Sequence, residues 1–527
     1  MLTQILKDKG YTVQKGAMAY ITPERCKLMP SCYANNPPSP YGVTLLPKAP
    51  GENTSTYSNW GVTLHEEVDG VFMSSTYRLD SRETILMLGQ TAPRSLYYAY
   101  IPYVFDRWYP KGWSSKSSDW SKCPDVTDPN GSRCRLFASL GDPINMLNMN
   151  TSNEGGQSFN SAYAHYMGGD PIQVKKIQAF SIQAGIQKST HNVFGLSSVR
   201  ANLGLEPTSD GFMHLTRTAF VEDKDEFNEY IYNPDKYITI LRITPPLKRI
   251  PSRKTFPPHV FKQRISEPES LPSKGIDHKQ LTAILENDIR NNIITKYKQT
   301  HKYVNKFKIE PPIYKNGYDC MDFGMQCNGD NQDTLYPNSR KSIAKSFSCN
   351  KLLGEKCPNV YRTTLQEDGT DFFIVTGVNH NATKRALYSS ISMYSGARLE
   401  SLGGFNSLPT EMSSTSYTGS ANEYLADSNL SKYFWAVRVS RKCERNENFC
   451  LQIPKSGDNS LPLNGSCVFI ERSYLDKMKA GPTNDAHVKP VVYHFSSTYP
   501  SDASCNLPVW SSFDLLMITF IHVYLLL

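Results

Sequence analysis

An 11-residue pattern that occurs twice is the feature that most constrains the fold of this chain. CYANNPPSPYG at residues 32–42 recurs as CNGDNQDTLYP at residues 327–337, an offset of 295 residues, and a second cysteine precedes each copy, at Cys26 and Cys320. Solenoid repeats recur every ~20–50 residues, so an offset this long predicts two whole domains that share one structural device.

The segments that follow the two copies have a similar order. Short runs rich in β-branched and aromatic residues, bounded by turn residues, predict β-strands. The first set is TILMLGQT (84–91), LYYAYIPYVF (96–105) and FASLGDPIN (137–145), and the second set is FFIVTGVN (372–379), ALYSSISMYS (386–395) and ESLGGFN (400–406). YITILRITP (237–245) is matched with YFWAVRVSR (433–441). These correspondences predict a diverged internal duplication.

The predicted fold class is mainly β with some helices (α+β). Two related sandwich or jelly-roll-like domains, residues 1–245 and 313–498, are joined by a basic, proline-rich linker and an amphipathic helix in residues 246–312. A chain of 527 residues is long enough for two or three domains. The final segment, residues 499–527, is predicted to be a signal tail and not part of either domain.

Two helices are predicted. Asp170 as the N-cap begins a helix over residues 170–187, with Ile172, Ile177 and Phe180 on one face. The second helix covers residues 277–299 and packs against one of the two domains. Its apolar residues recur at helical spacing: Leu281, Ile284, Leu285 and Ile289.

The cysteines predict small disulfide-closed loops and therefore an oxidising compartment. Ten of the 12 fall into close pairs: Cys26/Cys32, Cys123/Cys134, Cys320/Cys327, Cys349/Cys357 and Cys443/Cys450. The partners of Cys467 and Cys505 are not predicted. Zinc binding is the alternative, but no C-x₂₋₄-C knuckle occurs in the chain.

Six N-x-S/T sequons favour a glycoprotein, although composition alone would produce about as many. They lie at Asn53, Asn130, Asn150, Asn381, Asn429 and Asn464. The predicted location is extracellular or at the cell surface. The first residues, MLTQILKDKG, contain lysines where a signal peptide would be apolar. An incomplete N-terminus would reconcile the two observations, and a cytosolic protein with free thiols is the alternative.

The C-terminal run from Leu515 to Leu527 carries no formal charge. It is shorter than the ~20 residues that a membrane-spanning helix needs. With Asp502 as the attachment residue, small neighbours, a polar spacer and this apolar tail match the layout of a glycosylphosphatidylinositol signal. The predicted membrane partner is therefore a lipid anchor. A buried C-terminal helix is the alternative.

Charge and motifs exclude several functions. The net charge of +8 is spread without a long basic run, which predicts a solvated surface and no nucleic-acid partner. A surface patch that binds polyanions is the alternative interpretation of this charge. The chain has no G-x-S-x-G elbow, no H-E-x-x-H pair and no phosphate-binding loop, so no catalytic residue is assigned.

Two groups of residues are candidates for binding. Asp330 and Asp333 in the second copy of the motif could offer oxygen ligands to calcium, but the first copy lacks them, and local turn hydrogen bonds are the alternative. Trp108, Trp113 and Trp120 lie in a polar segment and could form a glycan-binding face, with packing beneath a disulfide as the alternative. No other cofactor is predicted.

Several segments resemble known proteins. SPYG, LGQTAPRSLYYAYIPYV, FASLGDPIN and FCLQIP…CVFIERSYLD resemble a large uncharacterised group of extracellular β-rich proteins. NQDTLYP resembles the N-x-D-T-L-Y signature of a bacterial β-rich domain family of unknown function. Neither resemblance implies an activity. We expect a structural or recognition glycoprotein with a glycan or protein ligand; the alternative is an extracellular hydrolase acting on polysaccharide.

Overall fold

The computed structural model describes most of the chain. The described residues are 1–29, 31–35, 39–52, 63–118, 121–153, 158–246, 255–339, 365, 370–396, 398–463, 465–476 and 480–497. Several predicted features therefore lie outside the described residues: Asn53, Trp120, Cys349, Cys357, Asn464, Asp502, Cys505 and the Leu515–Leu527 run.

The first half of the chain forms one large sheet and a short hairpin. Its strands are β1 (Thr12–Tyr20), β2 (Gly42–Leu45), β3 (His65–Val68), β4 (Val71–Ser74), β5 (Thr84–Gln90), β6 (Ser95–Tyr109), β7 (Ser132–Ser139), β8 (Ile144–Asn145), β9 (Ala162–Gly168), β10 (His191–Gly195), β11 (Gly211–Val221) and β12 (Ile238–Thr244). The sheet order is β10-β9-β5-β12-β1-β2-β11-β6-β7, with β8 paired to β6, and β3 and β4 pair with each other.

The second half forms two sheets. Its strands are β13 (Lys302–Lys308), β14 (Thr334–Leu335), β15 (Asp371–Val378), β16 (Tyr388–Ser395), β17 (Ser401–Asn406), β18 (Phe434–Ser440), β19 (Cys450–Gln452), β20 (Cys467–Tyr474) and β21 (Val491–Ser496). One sheet has the order β13-β21-β15-β18-β19, and the other has the order β14-β20-β16-β17. The mainly-β fold with some helices is thus confirmed.

The strand order of the two halves is the same. The run β1-β12-β5-β9-β10 corresponds to β13-β21-β15-β18-β19, and the run β2-β11-β6-β7 corresponds to β14-β20-β16-β17. β9 and β10 pair in parallel, as do β18 and β19, while the other pairs in these runs are antiparallel. In the first half the long strand β1 continues from one run into the other, because residues 12–16 pair with β12 and residues 17–20 pair with β2.

This order corrects one sequence match. The segment YITILRITP forms β12, which lies between β1 and β5, whereas YFWAVRVSR forms β18, which lies between β15 and β19. β12 therefore corresponds to β21, and β18 corresponds to β9. Both segments are apolar strands buried inside a sheet, so their composition does not distinguish their positions.

The helices are short and lie mostly in connections between strands. They are α1 (Leu2–Asp8), α2 (Pro23–Leu28), α3 (Pro171–Gln183), α4 (Lys224–Tyr232), α5 (Pro234–Tyr237), α6 (His278–Ala283), α7 (Arg290–Tyr297), α8 (Gly317–Phe323) and α9 (Ser428–Ser431), with 3₁₀ turns at Lys188–Thr190 and Pro272–Lys274. α2 follows β1 and α8 follows β13, so these two helices occupy equivalent places.

Helix α3 begins as predicted. The Asp170 side chain accepts hydrogen bonds from the backbone amides of Ile172 and Gln173, which caps the helix. Ile177 is buried on its inner face, but Ile172 is 42% exposed, so the predicted apolar face is wrong at that residue. Gln173 lies inside instead, where Tyr11 donates a hydrogen bond of 2.9 Å to it.

The amphipathic helix packs against the second half. α6 and α7 are continuous through a π-helical segment at Ile284–Ile289, and an Asp277 capping box begins the helix. Leu281, Leu285 and Ile289 are fully buried against strands β15, β18 and β21, while Ile284 is only partly buried. The π segment contains one wider turn, which changes the residues that face the core. No helix in the described part of the chain is long and apolar enough to cross a membrane.

Candidate ligand site between the two halves

The first copy of the repeated motif packs against the second half of the chain. A disulfide between Cys26 and Cys32, with a Cα–Cα distance of 5.2 Å, closes the loop that follows α2. The Cys32 amide donates to the Arg398 carbonyl at 2.9 Å, and the Ala34 amide donates to the Leu399 carbonyl at 3.1 Å. These acceptors directly precede β17.

The second copy makes the reciprocal contacts. Cys320 and Cys327 form a disulfide with a Cα–Cα distance of 5.8 Å. The Cys327 amide donates to the Leu136 carbonyl at 2.7 Å, and the Gly329 amide donates to the Phe137 carbonyl at 2.9 Å, both in β7. The first loop binds residues just before β17 and the second binds β7, and β7 corresponds to β17, so each motif loop binds a corresponding segment of the opposite half. The two halves are thus arranged about an approximate twofold axis.

Both loops contain two consecutive residues with positive φ values, in the left-handed region of backbone conformation. Tyr33 and Ala34 have φ values of 55° and 56°, and Asn328 and Gly329 have φ values of 53° and 75°. A Cβ atom at residue 329 would lie 2.8 Å from the Phe137 ring and 2.9 Å from a guanidinium nitrogen of Arg217. Glycine at this position therefore allows Arg217 to approach the loop.

Two arginines occupy equivalent places in the two halves. Arg217 of β11 pairs with Ala99 of β6, and Arg472 of β20 pairs with Ser390 of β16. The strand pairing beside them also corresponds, because Thr216 pairs with Gly42 and Ser473 pairs with Leu335. The next position along each strand places Arg217 opposite Tyr41 and Arg472 opposite Tyr336, the tyrosines that end the two motif copies.

The contacts of Arg217 come from both halves. Its Nη2 donates to the Gly329 carbonyl at 2.6 Å and to the Tyr103 hydroxyl at 3.1 Å. Its Nη1 donates to the Tyr336 hydroxyl at 2.7 Å, and the guanidinium lies 4.8 Å from the centre of the Tyr41 ring. Its Nε is buried without a hydrogen-bond partner. The side chain is almost fully buried, with 3% of its surface exposed.

Arg472 makes the equivalent contacts in the other direction. Its Nη2 donates to the Ala34 carbonyl at 2.7 Å, as Arg217 does to Gly329. Its guanidinium carbon lies 5.1 Å from the Tyr394 ring centre and 5.8 Å from the Tyr336 ring centre. The sheet register makes Tyr394 the equivalent of Tyr103. Each half therefore supplies one arginine and two tyrosines to a shared cluster.

The electrostatics of this cluster are dominated by the two guanidiniums. Burial alone would raise the pKa of the Tyr41 phenol, but Arg217 and Arg472 outweigh it and hold that pKa below the ordinary value. Burial raises the pKa of Tyr336 and Tyr103 in spite of the same cation, Arg217. Tyr41 is thus the phenol in this cluster whose charged form the surroundings favour.

A cavity of about 100 Å³ opens between the halves beside this cluster. Both arginines line it, together with a third, Arg135. Its apolar wall includes Phe137, Met325, Pro312, Leu399 and Ile470, and its rim includes Glu310 and the half-exposed Ile313. A cationic, aromatic cavity with an apolar wall has the composition of a small-molecule site.

The predicted calcium ligands lie near this cavity but face protein donors. Asp330 accepts hydrogen bonds from the backbone amide of Ser139 at 2.7 Å and from its hydroxyl at 2.5 Å. Asp333 accepts from the Tyr97 hydroxyl at 2.8 Å and from the Asn145 amide at 2.7 Å. Burial raises the pKa of both carboxyls, that of Asp333 to about 6. In this arrangement they connect the second motif copy to the first half.

Two other groups have metal-ligand spacing among the described residues, but both contain a disulfide. Cys26 and Cys32 lie near Glu400, and Cys443 and Cys450 lie near Glu447. Oxidised sulfurs are not thiolates, which are the form of cysteine that binds metals. Two further predicted pairs are also formed: Cys123–Cys134 has a Cα–Cα distance of 5.8 Å, and Cys443–Cys450 one of 5.9 Å. Cys467 is buried.

The described tryptophans of the predicted aromatic face are partly buried. Trp113 stacks on Tyr109 with a centroid distance of 3.7 Å, and a Cβ atom added to Gly324 would lie 2.1 Å from its ring. A Cβ atom on Gly131 would lie 2.4 Å from Trp108. Each ring thus packs closely on a turn, and binding of a glycan to Trp108 and Trp113 stays a prediction.

The described sequons differ in exposure. The side chains of Asn130 and Asn429 are exposed in a turn and a short helix. Asn150 donates a 3.0 Å hydrogen bond to the His191 carbonyl, and Asn381 donates one of 2.8 Å to the Leu387 carbonyl. The amide nitrogens of Asn150 and Asn381 are therefore engaged by the fold.

A second polar cluster is buried inside the second half. His380 Nδ1 lies 2.9 Å from Glu269, His380 Nε2 lies 3.2 Å from Glu471, and the His380 ring stacks on His487 at 4.0 Å. Burial opposes the charge on His380, but the two carboxylates outweigh it and raise its pKa to about 10. Burial alone would raise the pKa of Glu269, but the His380 cation outweighs burial and lowers that pKa to about 2.

Comparisons with known proteins add little. No family model matches the chain, and no curated protein matches it. Among solved structures, the chain is similar to the crystal structure of the VPA0106 protein from Vibrio parahaemolyticus, at 10% identity, with 83% of this chain and 90% of that chain covered and a TM-score of 0.27. A likeness this weak assigns no function.

Proposed function

We propose that this chain is a secreted or cell-surface recognition protein that binds a small molecule in the cavity between its two halves. The observation that carries the proposal is the reciprocal arrangement of the two motif loops. Each loop ends in a tyrosine that reaches this cavity, and each contributes a carbonyl to the arginine of the opposite half. Arg217 and Arg472 are buried cations beside this cavity, and close packing of the two halves does not by itself require them there.

The disulfides support the extracellular location in this proposal. Four pairs close loops of 6 to 11 residues in both halves. Such bonds persist in oxidising compartments. Glycosylation at the exposed Asn130 and Asn429, and a lipid anchor at Asp502, belong to the same proposal. Release from intact cells by a phosphatidylinositol-specific phospholipase tests the anchor.

Recognition is favoured over the hydrolase alternative. A retaining glycosidase needs two carboxyl groups ~5–5.5 Å apart, and an inverting enzyme needs them ~6.5–9.5 Å apart. Among the described residues that line the cavity, Glu310 is the only carboxylate. Asp330 and Asp333 are turned toward protein donors. The cavity thus offers cations and phenols for binding but lacks the pair of carboxylates on which such hydrolysis depends.

A cavity-filling variant tests the proposal. Ile470 lies in β20 and lines the cavity, so Ile470→Phe should occupy part of it, while the control Ile470→Val should leave it open. Wild type and control are screened by thermal shift against a mixed set of neutral, cationic and anionic small molecules. We expect compounds that stabilise the wild type and the control but not Ile470→Phe. If no compound separates the variants, the cavity is not a ligand site.

A further inference from the structure

We propose that the ligand of the cavity is a small organic carboxylate, held by Arg217 and Arg472. This inference rests on the proposed ligand-binding function and names its chemical class. It is carried by the charge of the cavity, the unpartnered Nε of Arg217 and the apolar residues that line the cavity together with the two arginines.

Among the described residues, neither Arg217 nor Arg472 has the carboxylate partner that Arg242 and Arg107 have. Arg242 is fully buried and lies 2.9 Å from the Glu83 carboxylate, and Arg107 lies 2.7 Å from Asp210. In the described part of the chain, no carboxylate lies within ion-pair distance of Arg217 or Arg472. A buried cation without a counter-charge is costly, and a ligand anion would remove that cost.

Arg441 is another buried arginine, and its contacts differ from those of Arg217 and Arg472. Arg441 donates to the backbone carbonyls of Leu365, Ile453, Pro454 and Pro462. It does not line the cavity. Arg217 differs because its Nε is buried without a partner while the side chain lines an open cavity. That buried N–H has no hydrogen-bond acceptor among the described residues.

The position of the two arginines suits one short anion. The guanidinium carbons of Arg217 and Arg472 lie 5.5 Å and 5.8 Å from the centre of the same Tyr336 ring. Both guanidiniums therefore lie beside the Tyr336 ring, which lines the same cavity. A guanidinium presents parallel N–H groups that match the two oxygens of a carboxylate.

The apolar residues that line the cavity favour a ligand with an apolar part beside its charged group. Phe137, Met325, Pro312 and Ile470 offer carbon surface, which inorganic phosphate or sulfate would not use. A cavity of about 100 Å³ limits the ligand to a small acid. Benzoate and short aliphatic carboxylates combine a charged group with a body of this kind, whereas benzamide has the same shape without the charge.

Titration calorimetry with benzoate, benzamide and inorganic phosphate tests the inference. We expect benzoate to bind at least 10-fold more tightly than benzamide or phosphate. Arg472→Gln should lose at least 10-fold in benzoate affinity, and the matched control Arg441→Gln, which removes a buried arginine outside the cavity, should lose less than twofold. Benzoate should also raise the pKa of Tyr41 in the wild type, because a bound anion competes for the same cations, and folding defects alone would not do this.

The outcomes separate the two proposals. If neutral compounds bind in a manner that Ile470→Phe abolishes, and benzoate does not bind, the carboxylate inference is overturned and the ligand site stands. If phosphate binds as tightly as benzoate, the site takes oxyanions in general and the assignment to organic carboxylates is overturned. If no compound of any charge binds, both proposals fail.

Discussion

At the scale of single residues, the most unusual feature is a pair of buried arginines at equivalent positions of the two halves. Arg217 and Arg472 are both nearly fully buried, at 3% and 5% exposure, and both contact tyrosines that end or face the repeated motif. Buried guanidiniums stay protonated, so the neighbouring phenols and carbonyls must balance their charge. The effect of this charge on the pKa of a phenol is greatest for Tyr41.

Tyr41 should ionise below the usual range for tyrosine, which is about 10. The two guanidiniums favour its phenolate more than burial disfavours it. We expect the absorbance difference at 295 nm between the wild type and Tyr41→Phe to develop below that pH, while the buried Tyr103 stays protonated well above it. Superimposable titrations of the wild type and Tyr41→Phe would contradict this assignment.

The His380 cluster should control stability against pH. Its pKa of about 10 lies above the unfolded value of about 6.5, so its contribution is full below the unfolded pKa and is lost as the pH rises toward 10. Glu269, with its pKa of about 2, contributes above its unfolded value of about 4.5 and loses this contribution as the pH falls toward 2. Glu471, His487 and Arg385 also act on this cluster.

Removing one charge from this cluster should be costly. Glu269→Gln leaves the His380 cation with less compensation in the interior, and breaking a buried ion pair costs about 3–5 kcal/mol. Urea unfolding at pH 6 should show that loss. His380→Gln should flatten the decline of stability between pH 7 and pH 10. An unchanged slope in that variant would assign the pH dependence to other groups.

At the scale of elements, the disulfide loops hold the two motif copies in place. Cys320–Cys327 and Cys443–Cys450 have the same sequence separation of 7 residues, but only the first closes a loop that contacts the opposite half. Chain entropy assigns each about 2.5 kcal/mol. The pair Cys320→Ser/Cys327→Ser should therefore lose that stability and also benzoate binding.

The matched variant Cys443→Ser/Cys450→Ser is the control. It should lose a similar amount of stability in urea unfolding and retain benzoate binding, because no residue of the loop from Cys443 to Cys450 lines the cavity. Equal loss of binding in both variants would mean that the loops act through global stability alone.

The elements also show what the sequence can and cannot predict. Spacing alone predicted the disulfides of both motif copies, because local pairs have few alternative partners. The β-rich class followed from alternating apolar runs. Arg217 and Arg472 were missed because a single arginine in a strand gives no sequence signal. Whether such a side chain is buried depends on how the strand pairs with its neighbours, which the sequence does not show. Aligning TRTAFV with ERSYLD from the duplication would have been the available signal.

At the scale of the whole molecule, the two halves share a strand order and exchange their motif loops. Each loop donates two backbone hydrogen bonds to the other half, and Arg264 of the connecting segment donates to carbonyls of Asn331, Thr334 and Pro482. Because the contacts of the two loops cross the boundary in both directions, we expect that neither half would retain its loop geometry alone.

The halves should consequently unfold together. Scanning calorimetry should show one transition with a ratio of calorimetric to van't Hoff enthalpy of about 1. Arg472→Gln should lower the midpoint without splitting the transition. Two separate transitions in the wild type would mean that the halves are independent domains, and the exchanged loops would then contribute little to their stability.

The most direct test of the shared site is an experimental structure with a heavy-atom ligand. Crystals grown with 4-bromobenzoate and measured at the bromine absorption edge locate the ligand without ambiguity. We predict one anomalous peak against the apolar wall of Phe137 and Ile470, with the carboxylate oriented toward Arg217 and Arg472. A fully occupied ligand elsewhere with an empty cavity, or a carboxylate directed away from both arginines, would contradict it.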